Sequence, residues 1–459
     1  MHKVRMNNSI AFVPDGALLS DVIMHSGGRV SHPCGGKGLC KKCLVTVDGK
    51  DELSCQYTVH SDITVIFDED AAVLSETGAV ATAEVGEELC LALDIGTTTL
   101  ALALVSVDSG NIIRVTTKNN PQRVFGADVM SRIEYCRKNG IGALQRPLID
   151  AVNYMISELD AEGLDVFVSG NATMLHTFVG EDCSSIGVVP YTPSFLESRT
   201  LSGETLGLNV REAVTLPSIH SFVGADIVAG MNFVGFPREG KYNLLVDLGT
   251  NAEIALFDKN SVLCTSAAAG PCFEGANISC GMSASDGAVY AYRSGKAETI
   301  GNMPAKGICG TGIIDIVAEL FKNGTIDETG FMETESFPIA DGVEITQADV
   351  RQYQLAKSAV YSAILTLMKE KGITPDDIEK VFISGGFSAE INIPNAAATG
   401  LLPRELEEKC IAVNNSSLLG TVKYACEKND LAPILSNARY TDLSENAEFS
   451  DLFIKNMMF

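Results

Sequence analysis

The sequence predicts an α/β protein: a small β-rich unit followed by two strand-rich lobes that each open on the same short turn. Two observations carry that prediction. Cys34, Cys40, Cys43 and Cys55 all fall near the amino terminus, three of them inside PCGGKGLCKKC. The pattern Asp-aliphatic-Gly-Thr then occurs twice, at Asp94 in LCLALDIGTTTLALALV and at Asp247 in LLVDLGTNAEIALF. Each copy lies between two apolar runs, which reads as strand, tight turn, strand.

In the first unit, SIAFV reads as a short strand and GALLSDVIMHSG as an amphipathic helix with a glycine stop. KCLVTVDGK reads as a strand ending in a turn, and DITVIF as a closing strand. Residues 68–88 are acidic, alanine-rich and weakly periodic, the composition of a linker, although a strand within them is compatible with the pattern. The expected organisation is therefore 1–67, a linker at 68–88, and a two-lobed part at 89–459. Lobe I would span about 89–225 and lobe II about 226–459, the C-terminal part either staying in lobe II or returning to lobe I.

After the first hairpin, strands alternate with helices: DVFVSGNAT, GTGIIDIVAELFKNG, a long helix near QADVRQYQLAKSAVYSAILTLMKEKG, and KVFISGGF as a buried strand breaking on two glycines. The chain carries 34 basic and 58 acidic residues, a formal charge of -24. Nucleic acid and anionic membrane both require a basic footprint, so neither is expected as the main partner. No apolar run reaches the 18 residues that suggest a membrane span, and MHKVRMNNSIAFVPDG lacks the apolar core of a signal peptide. Thirteen cysteines without such a signal suit a reducing cytoplasm, where clustered thiols bind metal more often than they form disulfides.

The four cysteines are spaced C-x5-C-x2-C-x11-C. Iron–sulfur clusters take four thiolates, and plant-type 2Fe–2S ferredoxins use C-x4-C-x2-C with a distant fourth cysteine. Gly35, Gly36 and Gly38 suit a loop whose backbone must wrap a cluster closely. A structural zinc site usually pairs two C-x2-C knuckles, and this chain has one, so 2Fe–2S is the expected occupant. Lys37, Lys41 and Lys42 beside it either screen the cluster, form a docking patch, or are an ordinary solvated face.

The paired turns suit a nucleotide. Glycine lets the backbone approach a phosphate, threonine adds a hydroxyl donor, and a strand-end aspartate orients Mg2+ or its waters. The candidates are Asp94, Gly96, Thr97, Thr98 and Thr99 in the first copy, and Asp247, Gly249, Thr250 and Asn251 in the second. GFPREGKY nearly fits a Walker loop but has Tyr242 where a small hydroxyl should ligate magnesium, and it leads into a strand, so it reads as a surface turn.

DIGTT, DLGTN and ISGGF resemble the phosphate-1, phosphate-2 and adenosine motifs of the acetate-kinase, sugar-kinase, heat-shock-chaperone and actin (ASKHA) superfamily. Five further stretches, GNATMLHTFVG, GADIVAGM, AAAGPCFEGANISCGMSA, GICGTGIID and SGGFSAEINIP, resemble the reductive activators of corrinoid proteins, the RACo-like family. The resemblance implies a β-grasp, ferredoxin-like domain ahead of an actin-like ATPase with RNase H-like lobes. It also implies an ATP-dependent protein that passes one electron from a 2Fe–2S cluster, ligated by Cys34, Cys40, Cys43 and Cys55, to an inactive Co(II) corrinoid protein, regenerating Co(I). Asp94 and Asp247 would organise Mg2+ and the attacking water, with Asp94 the first choice of activating carboxylate and Asp247 or Glu253 behind it. Gly385 and Gly386 would border the adenosine. The implied partners are the corrinoid protein of a methyltransferase system and an upstream low-potential electron donor. The short stretch between cysteines and first turn suggests that the sizeable middle domain of longer members is missing.

Other readings remain at this point: an ATP-driven electron injector for another low-potential enzyme, a small-molecule kinase with an accessory Fe–S module, or a non-catalytic actin-like scaffold. Cys264, Cys272, Cys280 and Cys309 lack a close C-x2-C pair and read as buried thiols. His176 reads as a packed histidine, and Glu274 as lining either the cleft or a partner surface. The tail FSDLFIKNMMF reads as a core-closing segment, the alternative being a homodimer interface of the ATPase part.

Overall fold

The computed structural model describes residues 1–6, 9–25, 43–66, 87–386 and 390–459. In the amino-terminal unit, β1 (His2–Met6) lies between β2 (Ser9–Val13) and the parallel strand β5 (Ile63–Ile66). The sheet continues through β3 (Leu44–Val47) to β4 (Lys50–Leu53), giving the order β2-β1-β5-β3-β4. Period-two alternation puts Val4, Met6, Val45, Val47, Ile63 and Val65 on one face, where Leu19, Val22 and Ile23 of helix α1 (Leu19–His25) cover them. The helix starts later than the sequence pattern suggests. Ala17 and Leu18 instead pair with Val59 and Thr58, and the Gly16 N–H donates to Val59 O at 2.8 Å. Those sheet bonds satisfy backbone groups that a first helical turn would leave open. The glycine stop of that helix, the cysteine loop up to Lys42 and most of the 68–88 stretch lie outside the described residues.

Two six-stranded sheets follow, and their centres repeat. In the first, β6 (Leu89–Ile95) and β7 (Thr99–Ser106) form the hairpin of the Asp94 turn, and β8 (Ile112–Asn119) adds antiparallel to β7. On the other side of β6 come β9 (Val166–Gly170), parallel to it, then β11 (Glu212–Thr215) and β10 (Thr200–Ser202). In the second sheet, β12 (Tyr242–Leu248) and β13 (Ala252–Asp258) form the hairpin of the Asp247 turn, and β14 (Ser261–Ala267) adds antiparallel. The parallel neighbour of β12 is β15 (Ile378–Ser384), followed by β16 (Cys410–Ala412), while β17 (Ala438–Tyr440) closes the opposite edge. The hairpin strands are buried on both faces, as their near-continuous apolar runs require.

The repeat extends to single positions. Ser169 of β9 is in register with Asp94, and Ser384 of β15 with Asp247. Each serine is followed by a glycine with positive φ, Gly170 at 154° and Gly385 at 120°. A β-carbon there would stand 2.8 Å from Ile95 O and 2.2 Å from Leu248 O respectively, so only glycine lets these strands end against the turns. The repeat of the Asp-aliphatic-Gly-Thr tetrapeptide is thus matched in topology and register.

Helices cover both sheets. On the first, α2 (Val129–Asn139) begins with a capping box at Asp128, α3 (Gly142–Glu158) buries Leu148, Val152 and Met155, and α4 (Ala172–Val179) follows β9 directly. Between the lobes lies α5 (Ala225–Val234). On the second, α6 (Gly310–Lys322) and the long α7 (Gln347–Lys371, capped by Thr346 and stopped at Gly372) share one core. Late in the chain, α8 (Ser416–Glu427) packs on β6 and β9 of the first sheet and crosses α5. At that crossing a β-carbon on Gly420 would meet Ala229 O at 1.8 Å, so the helices touch backbone to backbone. The last helix, α9 (Ala447–Lys455), packs on α7, and the tail carries Phe459 to within 5.2 Å of the Phe321 ring. The segment Gly235–Lys241, which holds the near-Walker pattern, is the connection between α5 and β12.

Candidate functional site

Asp94, Gly96, Thr97, Thr98, Thr99, Asp247, Gly249, Thr250, Asn251, Gly385 and Gly386 line one cleft of about 250 Å³ between the two sheets. The eleven positions read as nucleotide-binding are therefore brought together, and Glu253, the reserve carboxylate, lines the same cleft. Each turn is closed by its glycine, the second one residue tighter: Gly96 N–H donates to Thr99 O at 2.9 Å, and Gly249 N–H to Asn251 O at 3.1 Å.

The first turn is held from behind. Asn120 Nδ2 donates to Gly96 O at 2.8 Å, Arg132 Nη2 to Thr97 O, and Asn120 N–H to Thr98 O at 2.8 Å. Three successive carbonyl oxygens, groups that would repel a phosphate, are thus engaged by lobe I donors. Arg132 is fully buried; burial first, and then the neighbouring Arg123, bring its guanidinium down to about 9, still cationic at neutral pH. Asn171, the N-cap of α4, donates to Thr97 Oγ1 at 3.1 Å.

Asp94, one residue before the end of β6, accepts from both sides of the N-terminus of α8: Ser417 Oγ at 2.7 Å and Asn415 Nδ2 at 2.8 Å. Burial raises its pKa, and the Ser417, Asn415 and Ser169 bonds oppose that rise. Beneath it, Ser169 Oγ lies 2.8 Å from Ser417 Oγ and accepts from Thr421 Oγ1 at 2.8 Å. The same helix end reaches the other lobe, where Ser416 N–H donates to Ser384 Oγ at 3.2 Å, and Ser384 bonds Asp247. One helix N-terminus, with its partial positive charge, therefore sits between the two strand-end aspartates.

Asp247, Asp226 and Glu253 complete an acidic floor. Burial, then the charge of Asp94, push Asp247 up to about 6. Burial, then Asp247 and Asp94, raise Asp226; burial, then Asp226 and Asp247, raise Glu253. A divalent cation would offset this mutual repulsion. Among the described residues no three metal-ligating side chains converge tightly enough to cage an ion. Glu274 accepts from residues of both turns, Thr98 Oγ1 at 2.8 Å and Thr250 N–H and Oγ1 at 3.0 Å each.

Asp226, Asn415 and Ser417 were not assigned from the sequence, and of the two placements open for Glu274 the structure shows the cleft. Asp226 lies at the start of α5, and Asn415 and Ser417 at the start of α8, outside both DxGT turns. GADIVAGM carried a usable signal, an aspartate at the second position of a helix opened by glycine.

In the amino-terminal unit, Cys43 and Cys55 are buried with their sulfurs 3.1 Å apart, beyond a disulfide's roughly 2.05 Å. Two converging buried thiols suit the donor set of an iron–sulfur cluster; Cys34 and Cys40 lie outside the described residues. Cys264 and Cys309 donate to the separate carbonyls of Arg439 and Val289, and burial pushes the Cys264 thiol up to about 12. His176 is packed as expected: it stacks on Phe195 with ring centres 4.3 Å apart and accepts from the Ser194 N–H at Nε2.

Two lobes repeating one sheet around an acidic, hydroxyl-lined cleft define the actin-like (ASKHA) class. Residues 241–459 match the family model described as the C-terminal domain of RACo, the ASKHA domain, and residues 89–239 match the RACo middle region. The chain belongs to the RACo family. The middle region expected to be missing is therefore present, as the segment that forms the first sheet. The chain is 27% identical to the corrinoid activation enzyme RamQ of Eubacterium limosum, over 97% of each chain. It is also 27% identical to the [Co(II) methylated amine-specific corrinoid protein] reductase of Methanosarcina barkeri, over 76% of this chain and 72% of that one. Among solved structures, the reductive activator for corrinoid, iron-sulfur protein superposes with a TM-score of 0.74 at 24% identity, covering 100% of this chain and 98% of that one.

Proposed function

We propose that this chain is an ATP-dependent reductive activator of corrinoid proteins, delivering one electron to an inactive Co(II) corrinoid protein and regenerating Co(I). The observation that carries this reading is the pairing, in one RACo-family chain, of a converging buried thiol pair with a two-lobed acidic cleft. The substrate we propose is the corrinoid protein of a methyltransferase system; the methylated-amine class named for the Methanosarcina barkeri relative is the first to try.

Cys34, Cys40, Cys43 and Cys55 would hold a 2Fe–2S cluster, which when bound supplies a one-electron centre of low potential. Asp94, oriented by hydrogen bonds from Asn415 and Ser417, and Asp247 would position Mg2+ and the attacking water. Thr97, Thr98, Thr250 and Asn251 would donate to phosphates, and Gly385–Gly386 would leave room for adenosine.

The energetics are compatible. Plant-type clusters lie near roughly -400 mV, and Co(I) formation is expected to lie lower, so the transfer is uphill. A shift of a two-state equilibrium from 1:99 to 99:1 needs about 5.5 kcal/mol of differential binding, on the order of 240 mV for one electron. A lobe rearrangement of ordinary size would cover such a gap without the nucleotide touching the electron.

With reductant and MgATP, the purified protein should convert a Co(II) corrinoid protein to Co(I), read from the corrinoid spectrum. Conversion as complete without ATP as with it would overturn the coupling.

A further inference from the structure

Glu274 ends the short turn Pro271–Glu274, in the loop that leaves β14 of the second sheet. Its carboxylate takes three hydrogen bonds, one from Thr98 of the first turn and two from Thr250 of the second. One side chain thereby ties lobe I to lobe II across the cleft.

Its donors are the groups a phosphate would need there: two hydroxyls and a backbone amide, all from the paired glycine turns. A carboxylate and a phosphate are both oxyanions, so they compete for these donors, and they repel each other in a cleft that already holds Asp94, Asp226, Asp247 and Glu253.

The backbone around Glu274 is fixed. Cys272 and Phe273 before it are buried, and a β-carbon on Gly275 after it would stand 2.2 Å from Met282 O. Gly275 N–H also donates back to Cys272 O at 3.1 Å. The carboxylate can leave Thr98 and Thr250 by side-chain rotation, without moving the loop.

Resting on the reading that MgATP binds in this cleft, we infer that Glu274 is an internal competitor for the nucleotide's terminal phosphate and the bolt between the lobes. Binding of the triphosphate takes Thr98 and Thr250 from Glu274, and the link between the lobes is exchanged for one that runs through the phosphate.

The test is calorimetric titration of the full chain with MgAMP-PNP and with MgADP, using wild type, Glu274→Gln and Glu274→Ala. Glu274→Gln keeps an acceptor oxygen for Thr250 and guards against a folding defect; circular dichroism checks both variants. The expected result is tighter AMP-PNP binding in the order wild type, Glu274→Gln, Glu274→Ala. The last step away from wild type should reach about tenfold, the effect of one charge-assisted hydrogen bond, with a smaller gain for ADP. Wild-type binding with unchanged or weaker affinity in folded Glu274→Ala overturns the inference alone, including the case where only turnover falls. No AMP-PNP binding by any of the three overturns the nucleotide reading, and the inference with it.

Discussion

Ser417 Oγ donates to Asp94 Oδ1 at 2.7 Å across 323 positions of chain. The hydroxyl favours the ionised carboxylate, against the burial that disfavours it. Ser417→Ala should therefore weaken MgATP binding and slow hydrolysis by roughly tenfold, the effect of one hydrogen bond to a charged group. Steady-state ATPase rates at varied Mg2+ would check it, and a rate equal to wild type would remove Asp94 from its proposed role.

Cys43→Ser and Asp247→Ala should separate the two halves of the proposed function. The first should abolish 2Fe–2S absorbance and leave nucleotide binding intact. The second should keep the absorbance and lower ATP turnover on the order of a hundredfold or more, as loss of a metal-organising carboxylate does. Loss of nucleotide binding in Cys43→Ser would contradict two separable sites.

The pH dependence of stability should include a contribution from His176. Burial holds its pKa below the ordinary 6.5, and its Nε2 must stay unprotonated to accept from Ser194 N–H. Between the folded pKa and 6.5 the unfolded chain binds more protons, so stability is lost as pH falls through that window and levels off below it. His176→Gln should reduce the difference between urea midpoints measured at pH 7.5 and 5.5. An unchanged difference would contradict the assignment.

Gly420→Ala should be costly for its size. The added methyl would overlap Ala229 O at 1.8 Å and force α5 and α8 apart, on the order of 3 kcal/mol for an overpacked backbone contact. Denaturant midpoints would show it. Gly142→Ala, at a helical position with nothing within 4 Å of the added carbon, is the neutral comparison.

Local features were legible in the sequence, and assembled ones were not. The two DxGT hairpins could be read because turn, strand and candidate ligand lie within a dozen residues. Gly385 could be read because a buried strand stops there. Asn415 and Ser417 could not, since they act on Asp94, a strand residue more than 300 positions away in the chain; Asp226 left only the weak signal of an aspartate opening a helix after glycine. Ala17–Leu18 was misread because an amphipathic pattern does not reveal that Val59 and Thr58 will compete for its backbone. Glu274 was noticed inside a glycine-rich stretch, but its hold on both turns depends on how the lobes meet.

The crossing at Gly420 has a mechanical consequence. With Ala229 O lying where a side chain would begin, nothing deformable separates α5 from α8, so the contact can roll but cannot be squeezed. A fulcrum of this kind passes on rotation undamped. A turn of one lobe at the cleft would therefore be carried to the other through helix backbone rather than through side chains.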